Sequence, residues 1–344
     1  DNFIVDRQLS IWNMAACAIA RPQRGRISQR RPGPVAKSAA RVLIRIEQKI
    51  RQGENSMKTT DRNALIAFPI LILIGLLVAL AGSQGGTSIA GVPLFAFSVG
   101  LAFLIQWLVF IPAYLLQTEK FFDLTGSITY ISVIAIAVFF SKGADGRSIL
   151  LAALVVIWAI RLGSFLFSRI QKAGKDDRFD EIKPSFIRFL NVWTIQGLWV
   201  TFTMAAALVA ITTTSRKELD LFAIVGFLVW IFGFAIEVIA DSQKRRFSAN
   251  PENKGKFIQT GLWSRSRHPN YFGEIIVWVG VAMIALPVLQ GWQWVALISP
   301  VFVTLLLTRV SGVPLLENKA DKKWGGQADY ESYKKSTPVL IPRL

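Results

Sequence analysis

The sequence predicts an all-α polytopic membrane helix bundle of about eight transmembrane helices with both termini cytoplasmic. Three observations carry that reading. Of 344 residues, 52% are hydrophobic and 18% charged, with a mean hydropathy of +0.43; a soluble domain of this length has less apolar and more charged sequence. The apolar residues fall in long blocks, several near the roughly 20 residues that carry a helix across a bilayer. The net charge of +17 is gathered in a few connecting stretches, as the positive-inside rule requires of a membrane protein and as a nucleic-acid-binding face does not.

Taken in order, residues 1–56 stand apart. They hold Arg21, Arg24, Arg26, Arg30 and Arg31 among Pro22, Pro32 and Pro34, a span too polar to offset its ordering entropy. Residues 39–52 suit a basic amphipathic helix on an anionic membrane surface. The span reads either as an extension preceding a natural start at Met57, or as an Arg-rich, acid-poor transit peptide. Eight candidate spans follow, at 64–81, 92–116, 124–140, 148–167, 189–211, 221–240, 274–289 and 292–310. The third and seventh are short for a full crossing. Only Gln290 and Gly291 separate the last pair, which reads as a tight helical hairpin.

Loop charge orients the bundle. Residues 82–91 carry no charge, whereas 168–188, 242–267 and the tail after Val310 are rich in Lys and Arg. An even number of spans with cytoplasmic termini puts all three basic stretches inside, as in a bacterial inner membrane protein. No internal repeat marks a duplicated transporter. The lone Cys17 has no partner for an internal disulfide, and one histidine with one distant cysteine makes no zinc site. Gly82, Gly85 and Gly86 have no strand before them and so form no phosphate loop.

The richest polar chemistry lies in residues 260–274, TGLWSRSRHPNYFGE, which contain the single histidine, His268. Pro269 suits the first turn of a helix, so the seventh span starts near residues 268–270. Its amides and positive dipole end offer a phosphate site. Arg265 and Arg267 add guanidinium forks, and Lys244, Arg245 and Arg246 stand just past the preceding helix. Asn270, Tyr271 and Glu274 share one side of the first turn. The plainer alternative is a positive-inside flank with a helix cap and an interfacial tyrosine. Ionisable groups inside apolar blocks point the same way, because they are costly there unless they face a cavity or partner. Glu237 and Asp241 are one turn apart on one face. Arg161 either joins them or snorkels towards the basic loop. Asp241 alone is equally a boundary residue.

The runs AIEVIADSQKRRF and GLWSRSRHPNYFGE closely resemble DUF1295 membrane proteins, as do FFDLTGSITY, WAIRLGSFLFSRI, RVSGVPLLENK and the YKKSTPVLIP ending. The resemblance covers most of residues 57–344 and places the chain with the steroid 5-alpha-reductase C-terminal superfamily. Sterol reductases and isoprenylcysteine carboxyl methyltransferases belong there too. In the reductase branch it implies NADPH held in the cytoplasmic half of the bundle, with a lipid-like enone entering from the bilayer. Arg267, His268, Asn270, Tyr271 and Glu274 match the cofactor motif and Asp241 its acidic partner; Arg161 lies in a contributing helix, and Lys244 completes the expected set. Reducing a conjugated C=C bond needs a hydride at the β carbon and a hydrogen-bond donor at the carbonyl oxygen. Tyr130 is the candidate donor, with Glu119 or Asp123 as support; the alternative for Tyr130 is an ordinary aromatic in a helix interface. Two other functions stay open: an S-adenosylmethionine-dependent methyltransferase, since that branch uses a similar Arg-His-Pro-x-Tyr element, and a non-catalytic lipid-binding protein.

Overall fold

The computed structural model describes residues 36–141, 143–173, 175–176 and 179–343, with side chains from residue 59 onward except 169 and 171–173. The Arg- and Pro-rich part of the leader, and the side chains of the helix expected at 39–52, lie outside the described residues. Among those described, eight helices are long and apolar enough to cross a membrane. The chain is therefore the helical membrane bundle that its hydropathy predicts.

In chain order the helices are α1 (Ala36–Gly82), α2 (Leu94–Leu115), α3 (Phe122–Phe140), α4 (Gly146–Ala173), α5 (Phe186–Thr212), α6 (Leu221–Ala249) and α7 (Pro269–Ala285). The last crossing is mixed. A 3-10 stretch (Gly291–Leu297) leads into α8 (Ile298–Leu305) and a π-helical turn (Leu306–Val310). Two short helices, α9 (Val313–Trp324) and α10 (Ala328–Ser336), close the chain. A two-residue hairpin, β1 (Ser88–Ile89) with β2 (Val92–Pro93), joins α1 to α2.

Polar side chains start the helices where the sequence changes character. Asp220 accepts from the amide of Ala223 to open α6, and Asp145 accepts from that of Ser148 to open α4. Pro269 opens α7 as expected. The third and seventh crossings are 19 and 20 residues long, close to a full span. The sixth crossing runs past its predicted end to Ala249. At Gln290 the expected hairpin is instead two 3-10 segments. Gln290 and Gln293 close a capping box there, while Gln293 Nε2 also donates to the carbonyl of Gln84 at 2.6 Å.

The centre is α5, with 94% of its most apolar window buried against 22% for the first crossing. Beside it, α6 and α7 run antiparallel at backbone contact. A Cβ on Gly273 would stand 2.6 Å from the Gly233 carbonyl and 2.7 Å from the Glu237 amide, and one on Gly280 would stand 2.7 Å from the Gly226 carbonyl. Only glycine permits that approach, and it sets Glu237 and Asp241 against the start of α7.

Candidate functional site

The start of α7 is built by three pieces of chain. The 3-10 turn Gly261–Ser264 docks on α6, with Trp263 Nε1 donating to the Ala240 carbonyl at 3.0 Å and Gln243 accepting from the Leu262 amide at 2.9 Å. The C-terminal tail then clamps the next residues. The Arg267 amide donates to the Pro338 carbonyl at 2.9 Å, Ser266 Oγ to that of Leu340 at 2.8 Å, and the Arg343 amide to that of Arg265 at 2.9 Å. His268 is the N-cap and Pro269 the first helical residue. The imidazole stacks on the Tyr271 ring, 5.6 Å between centroids and 12° between planes.

Two charged groups meet here. In the first, Arg161 of α4 donates to Glu237 Oε1 at 2.6 Å and also to Asp241 Oδ2, while Asn270 Nδ2 donates to Asp241 Oδ1 at 3.0 Å. Three helices are thereby joined through one cation, two acids and one amide. In the second, Glu317 of α9 bridges Arg267 (Nη1–Oε2, 2.5 Å) and His268 (Nε2–Oε1, 2.7 Å). Burial pushes the His268 pKa below its usual value, with Lys244 and Arg267 acting the same way, against the opposing pull of Glu317. The ring is therefore neutral at pH 7, and Nε2–H donates to the carboxylate.

Beside this second group lies a cavity of about 390 Å³, within the roughly 300–1,000 Å³ typical of ligand pockets. Lys244, Lys256, Arg267, Lys319 and Lys323 line it, and Glu317 is the one acid among its described lining residues. Phe257, Trp263, Trp324, Tyr330 and Tyr333 supply aromatic walls. Lys244 sits 4.5 Å from the Trp263 ring centroid and Lys323 4.6 Å from that of Trp324. Burial raises the Tyr333 pKa, which keeps its hydroxyl protonated. That hydroxyl donates to the Trp263 carbonyl at 2.6 Å. Cations in excess and flat rings together suit a ligand that is both anionic and planar.

Deeper in the bundle, Asn270, Glu274 and Trp278 follow one another at four-residue steps along α7, a descent of about 12 Å. At its foot Tyr130 of α3 packs edge-on against Trp158 (5.3 Å between centroids) and beside Trp278 (6.5 Å). The side chain of Thr203 borders the Tyr130 phenol, and Glu274 lies within electrostatic reach of it.

The fold gathers Arg161, Asp241, Lys244, Arg267, His268, Asn270, Tyr271 and Glu274 at one end of the bundle, and of these Lys244, Arg267 and His268 line the cavity. It does not add Glu119 or Asp123 to Tyr130. Glu119 is buried but accepts from Lys183 Nζ at 2.6 Å and from the Asp176 amide at 2.8 Å, so it ties down the loop before α5. Asp123 lies seven residues from Tyr130 on the same helix, about 10 Å along its axis. Arg265 turns to the tail, and Arg245 and Arg246 point outward as exposed residues. Sequence reasoning missed Glu317 and the aromatic wall. Glu317 lies within the RVSGVPLLENK run, and Trp324, Tyr330 and Tyr333 recur at short spacing in the tail; neither pattern is periodic enough to announce a site.

The family model described as "Protein of unknown function (DUF1295)" matches residues 109–337, more than half of the chain. The rat protein named 3-oxo-5-alpha-steroid 4-dehydrogenase 1 is 30% identical over 118 residues, which is 34% of this chain and 40% of the rat protein. Its mouse counterpart is 28% identical over 120 residues, covering 35% of this chain and 41% of the mouse protein. A protein of Ustilaginoidea virens named probable O-methyltransferase ustE is 35% identical over 66 residues, 19% of this chain and 23% of that protein. The chain thus spans about two fifths of the length of the steroid dehydrogenases it matches. No solved structure gives a significant match.

Proposed function

This chain belongs to the DUF1295 family, and we propose that it is an NADPH-dependent membrane oxidoreductase. It reduces a C=C bond conjugated to a carbonyl in a hydrophobic, lipid-like molecule. The observation that carries the reading is the cavity beside Arg267 and His268, where five cations and a wall of aromatic rings meet one acid. A dinucleotide with an extra phosphate has the matching chemistry, and the names of the rat and mouse relatives point to the same class of reaction.

Arg267, Lys244 and the lysines of α9 hold the phosphates, and the aromatic wall takes a base. When bound, NADPH supplies the hydride. The Arg161–Glu237–Asp241–Asn270 group fixes α4, α6 and α7 against one another beside the cofactor. Tyr130 holds a proton at the carbonyl oxygen of the substrate. Its ring packs against Trp158 and Trp278 in the buried core, where a placed donor has a large effect on developing negative charge. The basic loops put this end on the cytoplasmic side, where the cofactor is available.

The short match to a named O-methyltransferase keeps S-adenosylmethionine as a second reading. Thermal shift of the detergent-purified chain with NADPH, NADH and S-adenosylmethionine separates them. We expect NADPH to stabilise the chain most and Arg267→Ala to abolish the effect. Stabilisation by S-adenosylmethionine alone would sink the reductase reading.

A further inference from the structure

Glu317 stands where an anion would stand. Its two oxygens meet Arg267 Nη1 and His268 Nε2 at 2.5 and 2.7 Å. A carboxylate and a phosphate approach such a pair through the same oxygen geometry, so the two cannot share it. The carboxylate also leaves the fork incompletely used, since Arg267 Nε is a buried donor without a hydrogen-bond partner. His268 is only 4% exposed. Among the described residues lining the cavity, every other Lys, Arg, Asp or Glu is a cation.

The segment that carries Glu317 is joined to the bundle by an irregular connection. The π-helical turn Leu306–Val310 ends at Ser311 and Gly312, and Gly312 packs so closely on Tyr271 that a Cβ would stand 2.8 Å from its ring. Beyond it, α9 and α10 hold each other: Asp321 accepts from the Tyr330 hydroxyl at 2.9 Å and from Lys334 Nζ at 2.6 Å. They form one piece, which the Tyr333 hydroxyl also ties to the Trp263 carbonyl at 2.6 Å, so displacing Glu317 frees the start of α9 while α10 and the tail stay docked. The bridge to Arg267 and His268 is the ionic contact between that piece and the start of α7.

We propose that Glu317 is an internal occupant of the phosphate position, a latch that an incoming phosphate group displaces, releasing α9 from Arg267 and His268. The nucleotide identity of the ligand rests on the function proposed above; the displacement itself rests on the carboxylate bridge. The latch lowers affinity, because part of the binding free energy goes into breaking two charge-assisted hydrogen bonds and populating the released state.

The test is binding of inorganic pyrophosphate and of NADPH to the full chain in detergent, comparing wild type with Glu317→Gln. The amide keeps the shape and removes the charge. We expect both ligands to bind about 10-fold tighter to E317Q, a change of about 1.4 kcal/mol. Equal or weaker binding would overturn the latch and make Glu317 a residue that orients Arg267. Hydrogen exchange on the wild type gives a measurement that does not depend on the variant folding. Amides of α9 exchange faster when pyrophosphate is added if the latch is right, and slower if it is wrong. Pyrophosphate behaving in this way without any NADPH binding would remove the cofactor reading and keep the latch. Failure of both ligands to bind the wild type would overturn both.

Discussion

The two ends of the bundle each hold an arginine, fully buried at one end and half-buried at the other, and they use it in opposite ways. At the end where α4 begins, Arg147 is 1% exposed. It donates to the carbonyls of Ile284, Glu218 and Lys217 and pairs with Asp220 at 3.0 Å. Every contact is internal, and each holds one loop or helix end to another. At the far end Arg267 meets one carboxylate, keeps a buried Nε without a partner, and lines a cavity whose described charged groups are cations apart from Glu317. A buried charge whose donors are used up is a structural tie. A buried charge with donors to spare, beside a cavity, is fitted for a ligand. The Arg161 group lies between these cases, close to the cavity in position but matched to Glu237 and Asp241 in charge.

The contrast is open to direct attack. Arg147→Ala removes the cation beside Asp220 and a donor from the carbonyls of Ile284, Glu218 and Lys217, and should cost about 2–3 kcal/mol of stability. Its NADPH affinity, measured on the folded fraction, should not change. Arg267→Ala should do the reverse, losing at least about 10-fold in affinity, or about 1.4 kcal/mol, with little change in unfolding midpoint. Equal destabilisation by both would erase the distinction between tie and site.

Tyr130→Phe probes the depth of the bundle instead of its ends. Removing a placed donor typically costs about 10²–10³ in turnover. Binding of NADPH, read by thermal shift, should be untouched, and turnover equal to wild type would remove Tyr130 from the chemistry. Gly273→Ala tests the link between ends. Its Cβ would meet the Gly233 carbonyl at 2.6 Å, forcing α6 and α7 apart at a cost of about 1–3 kcal/mol. It should weaken both stability and NADPH binding, because Asn270 and Asp241 separate; a loss confined to stability would detach the glycine contact from the site.

The smallest effect is that of pH. Burial holds the His268 pKa below its usual value, so the unfolded chain binds the proton first. The stability from keeping this ring neutral is complete above about pH 6.5. It declines as pH falls from there through the folded-state value and then levels off, with a slope of at most about 1.4 kcal/mol per pH unit. The difference in unfolding midpoint between wild type and His268→Gln should follow that course. A wild type that gains stability over the variant on acidification would show that Glu317 outweighs burial.

Much of this was legible in the sequence because it is local or periodic. Eight apolar blocks announce eight crossings, and Pro269 marks the start of α7 to within a residue. Glu237 and Asp241 share a face because they are four apart. Arg161 is costly in its block without a partner, and it has two. Other features depend on distant chain and left no such mark. Glu119 looked available beside Tyr130, but Lys183 and the Asp176 amide hold it from 64 and 57 residues away. Glu317 reaches His268 across 49 residues, and nothing in its own neighbourhood tells a bridging carboxylate from a solvated one. The mixed last crossing was hidden because apolar content alone does not separate α-helix from 3-10 or π turns.

The glycine pairs of α6 and α7 set a limit on how the two helices can be misaligned. Gly226 faces Gly280 and Gly233 faces Gly273, a spacing of seven residues on each strand of the pair. The two helices fit closely only when small residues coincide. The nearest other alignment that brings any of these glycines together is a full seven-residue slip, about 10 Å along the axis. That distance exceeds the reach of every hydrogen bond between Asp241 and Asn270. The pair therefore has no graded shear available to it, and its register is either met or missed. Whatever adjusts during turnover must do so in the elements around it.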